Sequence, residues 1–304
     1  MRRVVIILII LSLLMSGVAQ AAEPSPDSGV SSGAASMLGE SFQTDLATGA
    51  ATLSIPITVP PGRKNMQPKI ALSYSSNNSN GICGVGWTIP SNYIQRSTKK
   101  GLPKYDNTDT FLFLSGGSNA ELVDIGGGEY RAKIESAFMK YIYDEQGSTW
   151  SVSDKSGTKY IFGASAASRL SNGADIYSWY LDRVEDVHGN YITYMYEKHT
   201  DGQIYLKEVY YTGGTGIGPD KRVDFNYVDG RSDKLYSYRS GWNIKTTKRL
   251  SSIHIYLSGS LLWRYELAYQ TSQDTDRSLL NTITVYDKDG NSLPPKSFTY
   301  QRLD

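Results

Sequence analysis

Short runs of this chain place an apolar residue at every second position, the period of a half-buried strand. The clearest unit is residues 181–196, LDRVEDVHGNYITYMY. Leu181 and Val184 lie on its opening strand, and residues 186–190 make a polar turn. A closing strand sets Ile192, Tyr194 and Tyr196 on one face and Thr193 and Met195 on the other. His188, Gly189 and Asn190 give the turn residues that tolerate a positive φ. The plan recurs three times. Leu206 and Val209 lead to Phe225 and Tyr227; Leu250 and Ile253 lead to Tyr265, Leu267 and Tyr269; Leu280 and Ile283 lead to Phe298 and Tyr300. The closing tyrosines stand 31, 42 and 31 residues apart. The variation falls in the turns, as expected of hairpins added to one growing sheet.

Upstream, Leu53, Ile55, Ile57 and Val59 alternate with Thr52, Ser54, Pro56 and Thr58. Pro56 has no N–H to give a ladder, which predicts an edge position or a bulge for this strand. Pro60, Pro61 and Gly62 end the run. Ile70, Leu72 and Tyr74 resume it, so the two runs form a hairpin with a long loop. Residues 77–86, NNSNGICGVG, use Gly81, Gly84 and Gly86 for a tight path under Trp87. No helix start follows, which argues against a phosphate-binding loop. Short strands follow at 111–114, 121–123 and 130–134. Trp150 and Val152 then face Tyr160 and Phe162 across the turn at 154–157. Residues 163–175 are small and polar and read as a link to the repeated hairpins. No long stretch beyond the N-terminus has helical periodicity. The fold class expected is all-β, with successive antiparallel hairpins forming a large curved sheet.

The N-terminus breaks this pattern. Arg2 and Arg3 precede a 12-residue apolar run at 4–15, and Ala19-Gln20-Ala21 fits a small-residue cleavage site. Twelve helical residues rise about 18 Å against a hydrocarbon core of about 30 Å. The run therefore predicts a cleaved signal peptide at 1–21, export through the Sec route with a periplasmic intermediate, and no stable membrane anchor afterwards. Residues 22–40, rich in Ser, Gly, Ala and Pro, read as a flexible linker. Cutting the chain by pattern gives a first β region at 41–175 and a hairpin-repeat region at 176–304.

Composition agrees with strands: 23 Tyr suit half-buried sheet positions, and 29 Gly and 11 Pro suit turns. The net charge is +1; without Arg2 and Arg3 it is −1. Neither value draws a chain to nucleic acid. The single cysteine, Cys83, cannot form an internal disulfide, and its neighbours Ile82 and Gly84 predict a small buried apolar role.

Candidate chemistry is sparse. His188, His199 and His254 have no metal-ligand spacing between them, and no nucleophile elbow, Walker loop or Glu-x-Glu pair occurs. Residues 287–291, DKDGN, resemble part of a calcium loop but lack a distal carboxylate, so a hairpin turn is expected. Asp182, Glu185 and Asp186 read as solvated, and the repeat tyrosines as packing residues with hydroxyls at the wet edge. The expected site inventory is empty: no catalytic, cofactor-binding or metal residues, and no cofactor.

Two stretches carry a family resemblance. Residues 41–90 hold Thr48-Gly49 before the alternating strand, Pro68 before Ile70-Ala71-Leu72-Ser73-Tyr74, and Gly84-Val85-Gly86-Trp87. Together they resemble the opening of the SpvB/TcB family, the Salmonella virulence plasmid B protein and insecticidal toxin complex B components. The 181–300 units resemble Rhs/YD-repeat hairpins. Ile82-Cys83 departs from the family, which more often has Pro and a bulky apolar residue there. The resemblance implies the start of a β-sheet shell that encloses or delivers a toxin. It implies a toxin-complex or Rhs continuation chain as partner, met through an exposed β edge. A chain of 304 residues has no room for a propeller, a full shell or an ADP-ribosyltransferase domain, so a non-catalytic module from a truncated or split gene is expected. The competing expectation is a secreted adhesin or glycan-binding module that uses exposed aromatic rings.

Overall fold

A computed structural model describes residues 41–45 and 48–301. The expected signal peptide and linker lie outside them. The described residues are almost all β, and the helical element among them is a single 3-10 turn, Ala166–Ser168.

Four strands make a small sheet in the order Ser41–Thr44, Ala51–Pro56, Ala71–Ser75, Trp87–Thr88. The strand with Pro56 is central, which corrects the expected edge. The proline is harmless because it is the last residue: pairing with Ser41–Thr44 has already ended at Ser54, and Pro56 faces only Ala71.

A second, 16-stranded sheet carries the rest. Its first part is a meander of Tyr93–Arg96, Phe111–Ser115, Ser118–Gly126, Glu129–Ala132, Lys140–Asp144, Thr149–Ser153 and Lys159–Phe162. The long strand Asp175–Glu185 pairs with the first and the last of these. The Tyr180 carbonyl accepts from Gly163 on one side, while the Leu181 N–H donates to Asn92 on the other. Neighbouring residues of a strand point their backbone groups to opposite sides, so the eight strands close into a ring without an edge. Aromatic residues at alternate positions fill it. Phe111 lies 5.0 Å from Trp150, 5.7 Å from Tyr130 and 5.9 Å from Trp179, centroid to centroid, mostly edge to face. The link expected at 163–175 is more structured than its composition suggested. Arg169–Asn172 is a strand paired with the start of Asp175–Glu185.

Asp175–Glu185 is also where the repeated hairpins begin. Tyr191–Lys198, Ile204–Gly213, Lys221–Val228, Arg249–Leu257, Ser260–Thr271, Ser278–Asp287 and Lys296–Ser297 add to it in chain order, all antiparallel. The last strand is only two residues long, because Pro294 and Pro295 precede it and Phe298 to Tyr300 fall outside regular pairing.

The small sheet covers one face of the repeats. Thr58 donates its N–H to the Tyr265 hydroxyl, Trp263 donates to the Thr58 carbonyl, and the Tyr211 hydroxyl donates to the Pro60 carbonyl, all at 3.0–3.1 Å. One apolar cluster runs from Ile55 and Leu72 through Trp87 to Ile253, Tyr265 and Ile283. The opposite face is polar. There Arg183 stacks on Tyr191, Arg222 on Tyr256 and Arg264 on Tyr286, and each guanidinium also meets a carboxylate two residues along.

If the aromatic filling holds the ring closed, Trp150→Ala should cost about 3–5 kcal/mol. Urea denaturation followed by tyrosine and tryptophan fluorescence would read this as a lower midpoint at unchanged slope.

Candidate functional site

The repeated units share a joint that simple strand alternation does not produce. Leu and Val or Ile stand three apart in every opening strand, so regular alternation would send them to opposite faces. Both are nevertheless turned into the core, as Leu250 with Ile253 and Leu280 with Ile283 show. The register explains it. Tyr194 and Tyr196 face Val209 and Leu206; Phe225 and Tyr227 face Ile253 and Leu250; Leu267 and Tyr269 face Ile283 and Leu280. Tyr160 and Phe162 face Val184 and Leu181 in the same way. At each joint two residues' spacing on one strand meets three on the next. The surplus residue, Asp182, Lys207, Ser251 or Asn281, bulges out and is polar each time.

The same leucines anchor a second device. Each hairpin ladder ends two residues after its leucine, at Arg183–Thr193, Glu208–Asp224, Ser252–Glu266 and Thr282–Ser297. Beyond that point the strands splay and the leucine carbonyl has lost its ladder partner. A tyrosine hydroxyl replaces it. Tyr196 donates to Leu181, Tyr227 to Leu206, Tyr269 to Leu250 and Tyr300 to Leu280, at 2.7–2.9 Å. Burial pushes all four phenols above their ordinary range, well above for the first three. The hydroxyls therefore do not lie at a wet edge as expected; they close buried gaps in the backbone pairing.

Residues 80–92 run across the splayed ends as a strap. The Ile82 carbonyl accepts from Leu250, the Asn92 carbonyl accepts from Leu181, and Trp87 donates its indole N–H to the Tyr300 hydroxyl. Gly84 has φ +86°, and a Cβ there would lie 2.7 Å from the Ser278 carbonyl oxygen. Gly86 has φ +80° and leaves room for the Tyr74 ring. The glycines thus give close backbone packing, as their spacing predicted. Cys83, just before Gly84, is fully buried, and burial pushes its thiol up to about 12, partly opposed by the Arg231 charge.

An ion pair fixes the strap to the repeats, and nothing in the sequence singled it out. Arg231 is completely buried. It donates Nε and Nη2 to Asp233, Nη1 to the Gly81 carbonyl and Nη2 to Asn80 Oδ1. Asp233 also accepts from the Asn80 amide and from the Ser278 N–H and hydroxyl. Burial opposes its charge, but Arg231, Ser278 and Asn80 hold its carboxyl well below the usual carboxylate range.

Groups that could do chemistry are dispersed. A cleft of about 700 Å³ lies between the small sheet and the ring. Hydroxyls such as Thr52, Ser54, Ser73 and Ser91 line it; among the described residues Asp45 is its one carboxylate, and no Lys, Arg, His or Cys reaches it. Ser252 lies 3.0 Å from His254 Nε2, but Nδ1 faces the Tyr256 hydroxyl and not a carboxylate, and the pair sits on the polar face of the sheet. His199 lies 3.4 Å from Asp201, whose carboxylate is committed to Tyr205 and Thr247. Asp182 is buried rather than solvated: Ala164, Ser165 and Ser168 all donate to it. Glu185 pairs with Arg183. Asp186 accepts from the His188 and Asn190 amides, and Asp287 holds Asp289 and Asn291 identically, as a turn. Among the described residues no three His, Cys, Asp or Glu side chains gather as a metal site would require.

The described residues thus define an all-β class, a closed ring of antiparallel strands continued by latched hairpins. The chain belongs to the SpvB family: the family described as "Salmonella virulence plasmid 65kDa B protein" matches residues 45–126 and 125–212. The mono(ADP-ribosyl)transferase SpvB of Salmonella choleraesuis is 27% identical over 176 residues, and that of Salmonella typhimurium 26%. The match covers 49% of this chain but only 30% of those relatives. Among solved structures, TcdB2-TccC3 superposes with a TM-score of 0.75 at 21% identity, over 95% of this chain and 18% of that one. The N-terminal domain of effector SpvB from Salmonella typhimurium strain LT2 gives 0.63 at 18% identity, over 77% of this chain and 98% of that one. The Photorhabdus luminescens Tc holotoxin pore gives 0.72 at 21%, over 94% and 17%. At these identities the structures establish a shared fold.

Tyr227→Phe should cost about 1–2 kcal/mol, the penalty for stranding the Leu206 carbonyl. Tyr196→Phe and Tyr269→Phe should each cost a similar amount and couple to Tyr227→Phe by about 0.5 kcal/mol or more, because each leucine is faced by one latch tyrosine and bonded by the next; urea titration of the single and triple variants measures this. Gly84→Ala should cost about 1–3 kcal/mol from backbone strain and the Ser278 contact. Asp233→Asn should cost about 3–5 kcal/mol at pH 7, since Arg231 stays buried without its counter-charge. A depressed folded pKa stabilises fully above the unfolded value near 3.9 and loses its contribution as pH falls toward the folded value. The gap between wild type and Asp233→Asn should therefore be full at pH 7, begin to narrow below about pH 4, and close only as the pH approaches the much lower folded value.

Proposed function

We propose that this chain is an exported, non-catalytic wall module of a toxin carrier of the toxin-complex/Rhs type, and that it helps a shell or scaffold enclose or deliver a toxin. The observation that carries the reading is the four-fold joint: two-against-three registers and buried tyrosine latches are a device for extending a sheet, unit after unit. The repeats at 181–300 are the YD-type hairpins of such a carrier. The cut between regions is placed at 175/176, with Asp175–Glu185 as the strand common to both. Export follows from the basic and apolar start of the sequence. The matched portion of the SpvB transferases is part of a longer protein, and the dispersal of ionisable groups here favours a structural role for it.

The glycan-binding alternative has less support. The tyrosines that recur in the sequence are spent on latches, and the arginine-stacked rings of the polar face are already covered.

Co-expression of the full chain with the polypeptides encoded beside it, followed by size-exclusion chromatography and limited proteolysis, tests the reading. The expected result is a stable complex in which a cargo segment resists protease, with no transfer of ADP-ribose from labelled NAD by this chain alone. A chain that stays monomeric beside each candidate, or that transfers ADP-ribose itself, contradicts it.

A further inference from the structure

The ring is filled unevenly. Around Phe111 its inward positions carry Tyr130, Tyr143, Trp150 and Trp179. Two residues along the same strand, Phe113 meets Tyr141 at 5.3 Å and Phe162 at 6.0 Å, edge to face. The neighbouring inward positions hold alanines: Ala120 opposite Phe113, and Ala132 opposite Leu122. These short side chains leave an apolar pocket of about 200 Å³ in the mouth of the ring, where the turn at 115–118 and the loop at 135–139 meet it. A cavity of about 150 Å³ is enough to take up benzene, so this pocket fits one substituted aromatic ring. Its wall holds a buried polar group without an adequate partner. Tyr141 is 2% exposed, and its hydroxyl reaches the Met139 sulfur at 3.7 Å. A thioether is a weak acceptor, so the O–H remains unspent, at the cost that a buried unsatisfied donor carries. Burial, helped by the Glu135 charge, pushes the phenol up to about 12, which keeps it a donor at neutral pH. Ser118, Asn119, Glu135 and Ser136 also line the pocket but are exposed at its rim, and among the described residues no Lys, Arg or His lines it.

We infer that the mouth of the ring is a binding site for a small, neutral aromatic molecule that carries a hydrogen-bond acceptor such as a carbonyl oxygen. The ligand's ring lies against Phe113 and the two alanines, and its acceptor receives the Tyr141 O–H in place of the Met139 sulfur. Each property of the ligand follows from one property of the pocket. The volume selects a single aromatic ring, and the stranded donor selects an acceptor. The Glu135 carboxylate, with no cation opposite it, rejects an acid. Phe138 stands at the rim with its backbone at φ +52° and its side chain largely exposed, apolar surface that a bound ring covers. The inference goes beyond the wall-module reading and does not rest on it.

The probes are acetophenone, its isostere α-methylstyrene, in which a methylene replaces the carbonyl oxygen, and benzoate. NMR of the full chain with isotope-labelled methionine methyl groups follows the Met139 signal during each titration. Acetophenone should shift it saturably, with a Kd below about 1 mM. α-Methylstyrene should bind at least about five-fold more weakly, and benzoate more weakly than acetophenone by at least as much. Tyr141→Phe should lower the affinity for acetophenone to that for α-methylstyrene and leave the latter unchanged. That ratio can be read even where the substitution shifts the protein's stability. A Met139 signal that acetophenone leaves in place up to about 5 mM would overturn the site. So would equal affinities for acetophenone and either of the other probes, or a preference for the carbonyl that survives Tyr141→Phe. None of these results bears on the wall-module reading, which the co-expression experiment tests separately.

Discussion

The structure depends on a mismatch between neighbouring strands. Two residues' length on one strand is made to face three on the next, at every place where a new hairpin joins. A regular ladder cannot hold both the Leu and the Val or Ile of the incoming strand on one face; the bulge can. The bulged residue is free to be polar, and it is. The strands then diverge, which would leave a leucine carbonyl buried and unpaired. An orphaned buried acceptor costs more than an ordinary hydrogen bond contributes, so the tyrosine hydroxyl that reaches it is a requirement of the bulge and not an ornament on it. Bulge, splay and latch are one arrangement.

From that arrangement the rest of the fold follows. Bulges increase local twist, so a sheet that carries one at every joint must curve. The splayed ends open a groove across successive hairpins. The strap at 80–92 fills it with backbone groups that pair with Leu181 and Leu250 and with a glycine that lies on Ser278. Its path leaves Asn80 and Gly81 beside Arg231, whose charge is then buried and must be matched by Asp233. At the other end of the repeats the same two-against-three register joins Lys159–Phe162 to Asp175–Glu185 and closes the ring. The ring's closure removes one edge of the sheet.

Much of this was legible in the chain. Alternation placed the hairpins, Trp150 and Val152 pair with Phe162 and Tyr160 as their spacing implies, and the turns at 186–190 and 287–291 took the form their Asp, Gly and Asn residues imply. The three-residue spacing of Leu181 and Val184 was visible too, yet its meaning was not, because it depends on the neighbour's register. Tyrosine hydroxyls were expected in water; only the splayed ladder shows why they are needed inside. Pro56 looked like an edge signal because sequence does not reveal where the adjoining strand stops. Arg231 and Asp233 stand in a polar stretch without periodic signal, and Arg231 is buried against Gly81, 150 positions away. Each miss is a long-range contact, which local patterning does not encode.

The central claim, that the surplus residue at each joint sets the register, is tested most directly by removing one. Ser251 is the surplus residue between Leu250 and Ile253, and its hydroxyl donates to the Asn226 carbonyl. Ser251→Gly keeps the bulge and loses that one bond, whereas deleting Ser251 abolishes the bulge and pulls Leu250 away from Tyr227. Urea denaturation of the two variants side by side is the measurement. The expected result is a loss of about 1 kcal/mol for the glycine variant and at least about 3 kcal/mol for the deletion, the scale of losing a core leucine. Equal stabilities for the two would contradict the account.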